Sequence, residues 1–452
     1  MLKDKLYEIG ESVLRVSRAD QTVVLVHGER SRLVRFANSV IHQNTEVYNV
    51  ELTIHVRFGN RAATVNTNAI NDPKDIVGIV RKAEEMAKLS PENPELPEVA
   101  PEGKVETSSD SFDDLTAEAD PSELIGIAHR LIRETPRPFE AFGVVSGGSS
   151  ETVLMTSEGF VGYRGVTAAH LKYNPIHDLT FGYLAQQSAH TFRDLSPEDA
   201  LERARERVPL VLNPVEARPG KWTVILEPLA VSELLGFLNW IGLSARSVQE
   251  GRSPLAGKIG ERIFSEKVTL YDDPTNPMGY VVPFDMEGRR RGLITVVENG
   301  VLKDFAYDTV TARKDGRESN ACAFHFSQSF PMFVNLHIAE GEDRYEDLIA
   351  STERGLLVTR FWYSNVVDPR SLTITGMTRD GLFLVEDGKI VKGMKNMRFN
   401  VSLLDVFANV VAVSQESRIV GETTWYGSFK VYGEILPTLK VENFNFASAT
   451  KF

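Results

Sequence analysis

Cysteine is almost absent from this chain: Cys322 is the only one in 452 residues. That excludes an intrachain disulfide and fits a reducing compartment. Long apolar runs are missing too, and none approaches the roughly 18 residues that a membrane-spanning helix needs. The opening residues, Met1 to Glu8, contain neither an apolar segment nor a small-residue cleavage site, so no secretion signal is expected. Basic stretches are scarce. Only Arg289-Arg290-Arg291 is dense, and between Gly288 and Gly292 it reads as a solvated turn. With a net charge of −12, direct nucleic-acid binding is not expected, because that affinity is mostly cationic. What remains is a soluble α/β composition, 42% hydrophobic and 25% charged, expected in the cytoplasm and long enough for two domains.

The catalytic signatures that can be read from spacing are also missing. There is no Gly-x-Gly-x-x-Gly after a strand, no Gly-Lys-Ser/Thr phosphate loop and no Gly-x-Ser-x-Gly elbow. Ser146-Gly147-Gly148-Ser149-Ser150 reads as a turn between strands. A helical zinc site needs two imidazoles one turn apart, and the nine histidines are scattered. His170 and His177 lie seven apart in strand-like sequence and so project to opposite faces. His55 falls on the polar face of a strand, where solvation is expected. His325 and His337 follow Cys322 in one segment, but at no structural-zinc spacing, and Cys322 itself reads as a buried thiol.

The chain opens with a helix carrying Leu6, Ile9, Val13 and Val16 at helical spacing. Short strands are expected at Val23–His27 and Leu33–Phe36, joined across Gly28. Val50 to Phe58 alternates without a fault, predicting one buried and one wet face, and Gly59-Asn60 turns it into Ala62–Val65. Asp72-Pro73, Asp120-Pro121 and Ser196-Pro197 each open a helix, with the polar residue as cap and proline in the first turn. Their buried sides run through Ile76, Val80, Ala83 and Ala87; through Leu124, Ala128 and Leu131; and through Leu201, Ala204 and Val208.

Residues 90–119, rich in Pro, Glu, Ser and Asp, read as a linker or long surface traverse. Extended sequence follows in Phe139–Val145, Thr152–Thr156 and Phe160–Leu171. The expected organisation is α+β: an N-terminal α/β domain with an antiparallel meander (1–212), then a β-dominated domain (213–452) with one marked helix, Ala230–Trp240.

The second half carries an ordered set of motifs. Asn299 to Asp308 leads into Thr311-Ala312 and Gly316-Arg317-Glu318-Ser319. Then come Pro331 to Ile338, Gly376 to Ile390, Lys395 to Asn400, and Pro437 to Phe446. In order and spacing these resemble the TldD/PmbA family, in which PmbA is also called TldE, and Arg35 to Thr67 resembles that family's N-terminal meander. The resemblance implies a metallopeptidase component, under a family label that has also included modulator of DNA gyrase. It implies a heterodimer whose active subunit carries His-Glu-x-x-x-His on a helix and holds a metal of the zinc kind, with the Glu as general base.

Aligned on Ala230-Val231, this chain has Pro228 and Leu229 for the first His and the Glu, and Glu233 for the second His. One carboxylate does not hold zinc. The resemblance therefore implies no catalytic, metal or cofactor residue here, the metal being expected in a TldD-like partner. It further implies unfolded or modified peptides as substrates and no membrane or nucleic-acid partner. Three alternatives stand beside it: a peptide-binding homodimer, a hydrolase with a metal on His325, His337 and Glu233, and a protein-level regulator of gyrase.

Overall fold

The computed structural model describes residues 2–70, 73–178, 181–421, 424–425 and 428–450. Two sheets divide the chain. The first holds β1 (Gln21–Ala37), β2 (Val40–Phe58), β3 (Arg61–Thr67), β4 (Gly103–Glu106), β5 (Glu140–Thr156), β6 (Phe160–His177), β7 (Phe181–Gly182) and β8 (Ala185–Ala189). They run in the order β3-β2-β1-β5-β6-β4, with β7 and β8 also on β6. All neighbours are antiparallel except β4 with β6. The fold is thus α+β with an antiparallel N-terminal meander, as the sequence predicts.

The helices of this half are α1 (Lys3–Val16), α2 (Pro73–Leu89), α3 (Asp114–Glu118), α4 (Pro121–Glu134) and α5 (Pro197–Arg207). Their starts are local chemistry. The Asp120 carboxylate accepts the Ser122 N–H at 2.8 Å, and the Ser196 hydroxyl accepts the Asp199 N–H at 3.2 Å, each just before a proline. Asp72, the cap expected for α2, lies outside the described residues. Leu6, Ile9 and Val13 of α1 and Ile76, Val80, Ala83 and Ala87 of α2 bury against Val24, Val26, Leu52, Ile54 and Val56.

The opposite face of the sheet is covered as well. Val23, Leu154 and Phe160 pack on Phe284 and Phe326 from the second half of the chain. That two-sided burial corrects the expectation for His55. It is 6% exposed rather than solvated, bonded through Nδ1 to Thr64 Oγ1 at 3.0 Å and packed near the Phe326 ring.

Two further expectations fail for a common reason. Val23–His27 and Leu33–Phe36 belong to one continuous strand, β1, and Ser146–Ser150 is no turn but the middle of β5, paired along Glu29–Leu33. Glycine there serves close approach rather than turning. A Cβ on Gly28 would meet Leu2 Cδ1 at 2.9 Å and Leu6 Cδ2 at 3.1 Å, and one on Gly148 would collide with the Arg30 carbonyl. The expected traverse at 90–119 contains β4 and α3 and buries Leu96, Ala100, Val105 and Ala117, so it is a built segment.

The second sheet holds β9 (Gly220–Leu226), β10 (Leu270–Asp272), β11 (Ile294–Glu298), β12 (Val301–Leu302), β13 (Leu336–Ile338), β14 (Arg354–Asp368), β15 (Thr373–Glu386), β16 (Lys389–Gly393), β17 (Met397–Ser402) and β18 (Val410–Val420). After the small hairpin β19 (Thr424–Trp425) and β20 (Ser428–Phe429) comes the last strand, β21 (Glu434–Ala449). Because β9 pairs with both β14 and β21, the strands β21-β17-β15-β14-β9 close into a ring. Phe361, Phe399 and Phe444, from three of them, pack with ring centroids 4.6 to 5.7 Å apart. The marked helix is α6 (Pro228–Phe237), continued by a wider turn over Leu238–Gly242. A shared core joins the halves: Leu131, Leu171 and Leu201 bury with Ile225, Leu357 and Phe383.

Candidate functional site

β9 delivers the chain to Glu227, whose N–H bonds the Val358 carbonyl at 3.0 Å. Glu227 is extended at the helix start, and its carbonyl accepts the N–H groups of Ala230 and Val231. Pro228 follows in the first turn, where its missing N–H costs nothing. Leu229 packs on the core of the second half. This start faces a cavity of about 170 Å3 lined by Glu227, Pro228 and Leu229. Its other walls come from both halves of the chain, including Tyr183–Gln187, Asp199 and Arg203 on one side and Tyr345, Glu416 and Arg418 on the other.

The polar groups here are tied to one another. The Tyr345 hydroxyl donates to Glu227 at 2.9 Å, and Arg207 donates to that hydroxyl at 3.5 Å. Burial, with the Glu227 charge beside it, pushes the Tyr345 phenol well above its ordinary range. Tyr183 is raised for the same two causes. Arg203 donates to Asp199 at 3.0 Å, and Asp199 also takes Gln187 at 3.3 Å and faces Arg418 at 3.6 Å. Neither histidine nor cysteine lines the cavity among the described residues. Such a set can hold a polar ligand through its carboxylates, guanidinium groups and phenols.

Glu233 does not line the cavity. It stands near Glu434, whose carboxyl burial pushes up to about 7; the Ser232 hydroxyl lowers it and the Glu233 charge raises it. One Glu434 oxygen is buried without a partner. Pro228 and Leu229 thus lie at the cavity while Glu233 lies with Glu434. Among the described residues no three His, Cys, Asp or Glu side chains gather as a metal would require. The donor set does not fit the metal that the resemblance implies for an active subunit.

The alternative metal set also disperses. His325 bonds Ser327 and lies against Phe326, whereas His337 on β13 pairs with Glu340 at 3.1 Å. Cys322 is buried in the core, and burial raises its thiol well above the ordinary value. His170 is bonded to Ser188 at 3.0 Å, with burial pushing it down to about 3. His177 sits near the end of β6, 3.3 Å from Asp178. The basic run is corrected in part, because Arg291 is buried and ion-paired with Asp272 while Arg290 is exposed. Sequence reasoning missed Glu227, Tyr345 and Arg203. Only the extended residue before Pro228 carried a local signal; Tyr345 and Arg203 arrive from distant segments.

Comparison with known proteins decides the family. The PmbA/TldA metallopeptidase C-terminal domain matches residues 219–448. The chain belongs to the PmbA/TldD metallopeptidase family. A metalloprotease of Methanothermobacter thermautotrophicus is 25% identical over 65% of this chain and 66% of its own length, just under two thirds. A metalloprotease of Methanocaldococcus jannaschii is 22% identical over 91% of this chain and 92% of its own. In fold, TldE from Thermococcus kodakarensis matches with a TM-score of 0.83 at 23% identity, covering 99% of this chain and 100% of that one. No helix among the described residues is long and apolar enough to cross a membrane.

Proposed function

We propose that this chain is the non-catalytic subunit of a two-subunit TldD/TldE-type metallopeptidase that processes unfolded or modified peptides in the cytoplasm. The observation that carries the reading is the start of α6. In the position where an active subunit would bear His-Glu-x-x-x-His, this chain has Pro228, Leu229 and Glu233. Leu229 cannot take a proton, and a single carboxylate cannot hold zinc. The catalytic metal then belongs to a TldD-like partner.

The family membership and the TldE-like fold support the reading. Tagged chain co-expressed with a TldD-like subunit from the same source is expected to elute as a single equimolar complex. Separate elution of the two at micromolar concentration would overturn the partnership.

A further inference from the structure

A separate cavity of about 570 Å3 opens between residues 100–105 and residues 288–294. Its second wall is a rigid turn. Phe284 bridges to Arg290, and the Asp285 carboxylate accepts the N–H groups of Glu287, Arg289 and Ala323 at 3.0, 2.8 and 3.2 Å. Arg291, buried on Asp272 and 3.3 Å from Asn335, pins the far side of the turn. The turn therefore presents Arg289 and Arg290 at the cavity in a fixed position.

Among the described residues Arg290 has no ion-paired carboxylate, and Arg289 has a single distant one. The carboxyl nearest Arg289 is Glu287, 4.0 Å away and fully buried. Burial and the charges of Asp285 and Asp308 push the Glu287 carboxyl up, to about 9. The Arg289 Nε is buried without a hydrogen bond. Arg290 has one polar contact among the described residues, the Lys104 carbonyl at 3.5 Å. The Lys104 ammonium is taken by Glu106 at 3.0 Å, which leaves exposed Glu102 as the opposing carboxylate on the cavity wall. Exposed Arg290 beside half-buried Arg289 is a fit for carboxylates, which a guanidinium can bind through parallel hydrogen bonds.

The other wall is an open strand edge. Among the described strands β4 pairs with β6 alone. The Gly103 and Thr107 N–H groups point to Gly159 and Tyr163 beside it. By alternation, the main-chain groups of Lys104 and Glu106 point the opposite way, toward Arg290. Leu293, 60% exposed, and half-buried Ile294 supply apolar surface on the facing side.

The geometry points to an acidic peptide segment, bound in extended form as an added strand along Gly103–Glu106, with its carboxylates on Arg289 and Arg290. An open strand edge pairs with extended main chain, and charge at its flank selects among sequences. This site stands apart from the α6 cavity and needs no partner subunit, so it is tested on this chain alone.

The probe is a fluorescein-labelled, C-terminally amidated peptide of alternating Leu and Glu, followed by fluorescence anisotropy. Its counterparts carry Lys for Glu, or N-methyl groups on alternate amides. The Glu peptide is expected to bind, the Lys peptide to fail, and the N-methylated peptide to bind at least about tenfold more weakly. Arg290→Glu, at an exposed position, and Arg289→Gln are each expected to weaken the Glu peptide about tenfold or more with unchanged thermal melting. Unchanged affinity in both variants, or equal binding of the Lys peptide, overturns the proposal. Equal binding of the N-methylated peptide, or displacement by inorganic phosphate as effective as by unlabelled peptide, overturns strand addition in favour of a small-anion site.

Discussion

Tyr345 and Glu227 come from segments more than a hundred residues apart and meet through one hydrogen bond of 2.9 Å at the head of α6. Tyr345→Phe keeps the ring and removes the donor. It is expected to destabilise the fold by about 1–3 kcal/mol, the cost of leaving a buried acceptor short of a partner, read by urea denaturation. Arg291→Ala is expected to cost more, about 3–5 kcal/mol, because it strands the fully buried Asp272 carboxylate.

Glu287 predicts a pH dependence. Its ordinary value is 4.5, and burial with Asp285 and Asp308 nearby raises it to about 9 in the fold. The folded state keeps a proton that the unfolded chain releases. Its stabilising contribution is complete below about 4.5 and is lost as pH rises through about 9. Denaturation midpoints should therefore decline over that window in the parent, and Glu287→Gln should flatten the decline. An equal slope in both would contradict this account of the buried acid.

At the scale of elements, the sequence disclosed what local chemistry decides. Asp120 and Ser196 cap their helices as their dipeptides suggest, and the apolar stripes of α1, α2 and α4 bury on the residues their spacing selects. It disclosed less wherever glycine answers to a distant neighbour. Gly28 looks like a turn in isolation, yet it makes room for Leu2 and Leu6 of the N-terminal segment; Gly148 makes room for β1. Gly148→Ala should accordingly destabilise by about 1–3 kcal/mol or more, as overpacking of a close backbone contact does. A thermal melt within error of the parent would contradict that reason for the glycine. His55 shows the same limit. Alternation assigned its face correctly, but only the second half of the chain, through Phe326, determines that the face is covered.

At the scale of the whole molecule, the ordered motifs of the second half and the meander of the first were enough to suggest the family that the domain match at 219–448 shows. The ring closed by β9 was not legible, since it depends on strand pairings across some two hundred residues. Nor was the α6 cavity, whose walls come from α5, β8, β18 and the start of the short helix Tyr345–Ala350. What the sequence does show is that Pro228 and Glu233 stand where the resemblance implies imidazoles.

The most direct test of the central claim is metal content and peptidase activity of the purified chain, alone and mixed with a TldD-like subunit from the same source. The account predicts a metal-free, inert chain and cleavage of unfolded peptides by the mixture. One tightly bound metal per chain together with cleavage by the chain alone would contradict it.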